Sequence, residues 1–136
     1  MKAHCRSIIV IFCYVALLST RSIDAKLGKV IIDTDAGADD AVAILLLLQY
    51  ESAMPNELQV LAITCTYGNT YVQNVEQNVL KTLTIANRSD IPVYSGAQRS
   101  LLHNYTGSDY FGRDGFGDFN FTEEITASID RTRHAA

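Results

Sequence analysis

The chain has 136 residues, 48% of them hydrophobic and 19% charged, with 11 Lys and Arg against 15 Asp and Glu for a net charge of −4. That length bounds it to one small domain with a modest core, and the mildly acidic balance excludes the basic footprint that nucleic acid or an anionic membrane would need. A small neutral or metal-bound ligand is the expected partner.

Lys2 and Arg6 precede an apolar run from Ile8 to Leu18, closed by Arg21 and the small-residue ending Ser22-Ile23-Asp24-Ala25. This pattern predicts a secretory signal peptide over residues 1–25, cleaved after Ala25, and a secreted, extracellular product. The competing reading, a membrane anchor, needs roughly 20 apolar residues, more than this run supplies. Two of the three cysteines, Cys5 and Cys13, fall in the leader, so Cys65 is expected as a buried free thiol in a chain without a disulfide framework. Asn87-Arg88-Ser89, Asn104-Tyr105-Thr106 and Asn120-Phe121-Thr122 are N-glycosylation sequons consistent with that route.

Lys29 to Asp33 (KVIID) is a β-branched run that predicts a strand, followed by a turn at Gly37 and a helix from about Asp39 to Tyr50, apolar nearly all round and so expected to be buried between layers. Leu58 to Tyr67 predicts a second strand, too continuously apolar for a half-exposed one, hence a parallel sheet covered on both faces. Thr70 to Ala86 sets Val72, Val75, Val79, Leu83 and Ala86 at helical spacing, with Gln73, Glu76 and Lys81 assigned elsewhere on the wheel. Ile91 to Ser95 predicts a third strand, and Gly96 to Phe119 a long loop rich in Gly, Ser, Asp and Tyr. Asn120 with Glu123 resembles a capping box opening a helix, and residues 122–136 are expected as an atypical tail after a domain spanning 26–121. Strand, helix, strand, helix, strand argues for a doubly wound, mostly parallel α/β sheet, Rossmann-like and truncated, with ligands beyond the carboxyl ends of the strands.

Those ends carry the chemistry. Asp33, Asp35, Asp39 and Asp40 place four carboxylates within eight residues at a strand-to-helix junction, a concentration of charge that a hard cation would neutralise. All-oxygen donors suit Ca²⁺, with Mg²⁺ the alternative, and no nearby His or Cys offers zinc ligation. An EF-hand is excluded because Ile44 stands twelfth from Asp33, where that loop needs Glu. The plain alternative is that Asp39 caps the helix and the other acids are solvated, just as Gly68-Asn69 reads equally as ordinary turn chemistry.

The segment VIIDTDAGADDAVAILLLL resembles the DTDxGxDDAxA signature of the inosine-uridine preferring nucleoside hydrolases, and LAITCTYGN resembles their second-strand segment ending in Gly-Asn. The resemblance runs from about Lys29 to Gly117 and, with the leader, suggests the secreted animal branch. It implies that Asp35 and Asp40 bind Ca²⁺, that Asp35 is also the general base acting on a calcium-activated water, that Asp39 and Asn69 hold the ribose hydroxyls, and that Asp33 supports the cluster from behind. The reaction implied is hydrolysis of a ribonucleoside to ribose and free base, by an enzyme whose relatives assemble as oligomers. Tyr110 to Asp118 is similar to the family's HGxxGxG-type loop beside the active site, with Phe111 where a His is often found and His103 and Tyr105 as neighbouring loop residues. The family's chain is at least about twice as long, and its remaining calcium ligands and leaving-group acid come from later segments with no counterpart here. Two other readings stay open: a truncated, catalytically silent form that binds a nucleoside or a full-length partner, and, more distantly, a haloacid-dehalogenase-like Mg²⁺-dependent phosphotransferase with Asp33 as nucleophile.

Overall fold

The structure, a computed structural model, describes residues 27–100 and 109–135. The leader, the Asn104 sequon, His103 and Tyr105 lie outside the described residues. Strand β1 (Gly28–Thr34) leads into helix α1 (Ala38–Ala53), β2 (Leu58–Cys65), helix α2 (Val72–Ile85) and β3 (Val93–Ser95), followed by a single 3-10 turn at Asp109–Phe111 and β4 (Ile129–Asp130). The four strands form one sheet in the order β1-β2-β3-β4, and every pairing is parallel. The parallel α/β class expected from the alternating pattern is therefore what the chain adopts, because β1 and β2 are each followed by a helix long enough to cross back.

The core lies between the helices and one face of the sheet. Ile63, Val93, Val72, Val75, Val79 and Leu83 are fully buried there, joined by Ile44 and Leu48 of α1. Leu83 is 0% exposed, so Leu83→Ala should cost about 2–5 kcal/mol through lost transfer energy and the cavity left behind. Urea unfolding of the variant checks this, and a loss well under about 1 kcal/mol would mean that the core collapses around the gap.

Several expectations about the layers are corrected. Helix α1 buries only one side: Ala41, Ile44 and Leu48 face inward, while Val42 and Leu46 are 57% and 66% exposed. Among the described residues no helix covers the other face of the sheet, where Ile31 is 60% exposed, while α1 and α2 pack against each other and against β2. Glu76, assigned elsewhere on the wheel than the apolar positions, is buried with them at 4% exposure; it stands one turn after Val72 and just before Val79, on the inner face, and the Arg131 guanidinium reaches in to pair with it at 3.1 Å.

The expected three strands become four. Asn120 and Glu123 open no helix, and the segment instead runs irregularly into β4, where Ile129 pairs with Val93 and Asp130 with Tyr94. Ala127 and Ile125 pack onto the core on the way. The segment 122–136, expected as a tail, thus supplies an edge strand of the sheet.

Candidate active site

β1 ends on Thr34, which is buried and has its carbonyl bound by the Thr66 amide at 3.0 Å. The Thr34 hydroxyl accepts the Ala36 amide at 3.0 Å, a local side-chain-to-backbone bond that turns the chain out of the strand. Gly37 is the N-cap of α1, so Asp39 is not the capping residue. Asp40 performs that task from inside the helix: its Oδ2 accepts the Gly37 amide at 3.1 Å, the reciprocal half of a capping box. Both Asp39 and Asp40 lie in the first turn, where the unpaired amides of the helix favour negative charge.

The end of β2 closes on this turn. Asp35 Oδ2 accepts the Asn69 amide at 2.8 Å. Gly68 leaves the space: a Cβ there would stand 2.0 Å from Asp35 Oδ2. Gly37 is enclosed in the same way, since a Cβ on it would meet Asn69 Nδ2 at 2.7 Å, Asp39 Oδ1 at 2.9 Å and a ring carbon of Phe111 at 3.0 Å. Asp35, Asp39, Asp40 and Asn69, predicted from the sequence, are therefore gathered around Gly37, and Phe111 closes over them from the glycine-rich loop.

Asp33 is not gathered with them. It alternates to the exposed face of β1, and its Oδ1 accepts the Thr64 hydroxyl of the neighbouring strand at 2.6 Å. Among the described residues no three carboxylates, imidazoles or thiols come together in a metal-holding group. The pair that does meet is Asp35 with Asp40, in side-chain contact.

That contact has an electrostatic cost. Partial burial raises the Asp40 carboxyl above its ordinary value of 3.8, the Gly37 amide pulls it back down, and the negative charges of Asp35 and Asp39 push it up again. Between 3.8 and the raised value the folded chain holds more protons than the unfolded one, so stability falls as pH rises through that window. Ionised Asp40 thus weakens the fold at neutral pH, and the penalty vanishes on acidification below the ordinary value. Asp40→Asn should accordingly melt above the unmutated chain at pH 7 in divalent-free buffer, with the gain shrinking toward pH 4. A variant that melts lower at pH 7 contradicts this account.

A second ring of polar residues, given no role in the sequence reading, surrounds the first. Thr70 Oγ1 donates to the Arg113 carbonyl at 2.8 Å, and Asn78, in the middle of α2, donates from Nδ2 both to the Ala36 carbonyl at 3.0 Å and to the Asp114 carbonyl at 2.7 Å. Spacing gave the only available signal: Thr70, Asn74 and Asn78 recur every fourth residue, a polar stripe beside the apolar one. The loop they hold turns through Gly112, Gly115 and Gly117 at φ of +84°, +74° and +84°, and Asp114 Oδ1 accepts the amides of Phe116 and Asp118. Of the remaining sequons, Asn87 and Asn120 are both exposed, and Cys65 is a buried free thiol whose pKa burial pushes up to about 12.

Comparison with known proteins identifies the family and the fold. The family described as inosine-uridine preferring nucleoside hydrolase matches residues 30–136, a span that includes the fourth strand. A protein of Arabidopsis thaliana named "Probable uridine nucleosidase 2" is 38% identical over 107 residues, which are 76% of this chain and 32% of that protein. The pyrimidine-specific ribonucleoside hydrolase RihA of Escherichia coli is 46% identical over 80 residues, 59% of this chain and 24% of the relative. Among solved structures, a plant nucleoside hydrolase superposes with a TM-score of 0.59 at 36% identity, covering 75% of this chain and 32% of its own. A purine-preferring ribonucleoside hydrolase from Gardnerella vaginalis gives 0.61 at 26% identity, over 79% and 33%. The chain spans about a third or less of the length of these relatives.

Proposed function

The chain belongs to the inosine-uridine preferring nucleoside hydrolase family, and from that premise we propose that it serves in hydrolysis of the N-glycosidic bond of a ribonucleoside, giving ribose and free base. The observation that carries this reading is the convergence of Asp35, Asp39, Asp40 and Asn69 on Gly37, at the carboxyl ends of β1 and β2 where parallel α/β sheets bind ligands. Membership in this family sets the phosphotransferase reading aside, and Asp33, occupied by Thr64 on the outer face, is not placed as a nucleophile.

The donor set suits a hard divalent cation: two carboxylates in contact, all oxygen, with the charge on Asp40 disfavoured by that of Asp35. Calcium is the proposed ion, with Asp35 and Asp40 as its ligands from this chain. When bound there, such a cation lowers the pKa of a neighbouring water. Asp35, fixed by the Asn69 amide, accepts a proton from the water that attacks the anomeric carbon. The new C–O bond forms as the C–N bond breaks, and the base leaves with the bonding electron pair. Asp39 and the Asn69 side chain, both beside Gly37, hydrogen-bond the ribose hydroxyls, and the acidic turn stabilises the positive charge that develops on the sugar. Secretion, glycans on Asn87, Asn104 and Asn120, and assembly into an oligomer are parts of the same proposal and rest on the leader, the sequons and the family.

A second reading, capture of cation and nucleoside without turnover, is favoured by one observation: Asp35 and Asp40 offer fewer oxygens than the six to eight that calcium takes. Release of ribose from inosine and uridine by the purified chain, with and without excess Ca²⁺, decides between them. Calcium-dependent release supports hydrolysis. A folded preparation that binds Ca²⁺ and releases no ribose leaves the binding reading.

A further inference from the structure

We propose that Asn78 is a positioning residue, which ties the acidic turn to the glycine-rich loop and sets the Asp40 carboxylate through the Ala36–Gly37 peptide. The part concerning Asp40 rests on the cation reading above; the tie between the two loops does not.

Asn78 is 0% exposed, set among Val75, Val79 and Leu83 in the helix that fills the core. Its amide nitrogen forks between the Ala36 and Asp114 carbonyls, two loops 78 sequence positions apart at their carbonyls and brought together at this one side chain. Its Oδ1 is buried and has no hydrogen-bond partner among the described residues. Exchanging the two amide atoms would aim Oδ1 at two carbonyl oxygens, so the pair of acceptors fixes which atom is nitrogen. A leucine would fill nearly the same volume without the stranded Oδ1, but it would leave the Ala36 and Asp114 carbonyls without this donor. The asparagine therefore supplies what leucine cannot, two donors pointed at two different loops.

The first of those bonds reaches the acidic turn directly. The peptide between Ala36 and Gly37 gives its carbonyl to Asn78 at 3.0 Å and its N–H to Asp40 Oδ2 at 3.1 Å. A carbonyl that accepts a hydrogen bond makes the N–H of the same peptide a better donor, so holding the plane at one end aims and strengthens the bond at the other. The second bond, at 2.7 Å, with the Thr70 bond to the adjacent Arg113 carbonyl, holds the loop whose Phe111 lies against Gly37. One side chain thus sets the distance between the floor of the site and its aromatic wall.

The test uses Asn78→Leu and Asn78→Asp in the full chain, read by melting temperature, by affinity for terbium as the cation probe, and by hydrogen exchange at the Gly37 and Gly115 amides. Asn78→Leu should fold but melt below the unmutated chain, because the Ala36 and Asp114 carbonyls lose their donor, bind terbium roughly 10- to 100-fold more weakly, and exchange both amides faster. Asn78→Asp, which turns the donors into acceptors facing two carbonyls, should be worse on every count. Unchanged affinity and exchange in a folded Asn78→Leu variant would overturn the proposal. Should that variant fail to fold, terbium titration of the unmutated ¹⁵N-labelled chain decides: the Asn78 side-chain resonances must shift together with the Gly37 amide, and Asn78 resonances that stay fixed while Gly37 moves overturn it. If the unmutated chain binds no terbium, the cation reading fails separately, and faster exchange at both amides in Asn78→Leu still upholds the tie between the loops.

Discussion

Asp35→Asn is expected to lower ribose release by about 10³-fold in kcat while leaving the melting temperature in divalent-free buffer nearly unchanged. The asymmetry follows from what the side chain does. Its structural duty is to accept the Asn69 amide through Oδ2, which an asparagine oxygen performs equally well. Its chemical duty in the proposed reaction is to take a proton and to help hold a cation; a neutral amide cannot do the first and does the second only weakly, through an uncharged carbonyl oxygen. Removing the charge also relieves Asp40, whose carboxyl Asp35 pushes upward, so the fold loses nothing electrostatically. Initial rates of ribose formation with inosine and with uridine provide the measurement. A variant that keeps turnover within tenfold of the unmutated chain would remove Asp35 from the role of base.

Gly68→Ala should rank second. The added methyl would stand 2.0 Å from Asp35 Oδ2 and 2.6 Å from its Cβ, and neither atom belongs to the free end of a long, flexible side chain. Asp35 must swing away from the Asn69 amide, or the Gly68-Asn69 turn must lift from β1. An overpacked contact of this kind costs about 1–3 kcal/mol, and a displacement near 1 Å at the reacting groups costs on the order of 10² in rate. The φ of Gly68 is not in the left-handed region, so the loss comes from the carboxylate and not from the backbone. Pairing the change with Asp35→Gly separates the two causes: the double variant should recover stability relative to Gly68→Ala alone, since the clashing Cβ and carboxylate are both gone, and remain inactive. Equal stability of the single and double variants would place the strain elsewhere.

How much of this could be read in advance depends on how local each cause is. The strands and helices of the first two units came out within a few residues of their observed ends, because β-branched runs and a period of 3.6 are properties of contiguous sequence. The acidic turn was legible for the same reason, with every member but Asn69 inside eight residues. What escaped depends on partners far along the chain. Asp33 is diverted by Thr64, 31 positions away, and Glu76 is buried because Arg131 arrives from 55 positions on. β4 has two residues, too few to show any period, and is a strand only because Val93 and Tyr94 offer it an edge. Asn78 is one polar residue among several on an amphipathic helix, and only the meeting of two loops gives it a task.

The one-sided packing of the sheet also has a calorimetric consequence. Unfolding raises the heat capacity in proportion to the apolar surface newly wetted, and Ile31, Val42 and Leu46 are already largely wet in the folded chain. The heat-capacity increment should fall below the usual figure of roughly 12–15 cal/mol/K per residue, and the dependence on urea should be correspondingly shallow. A small increment flattens the curve of stability against temperature, so this fold should lose less on cooling than a domain of its length with both faces of the sheet covered.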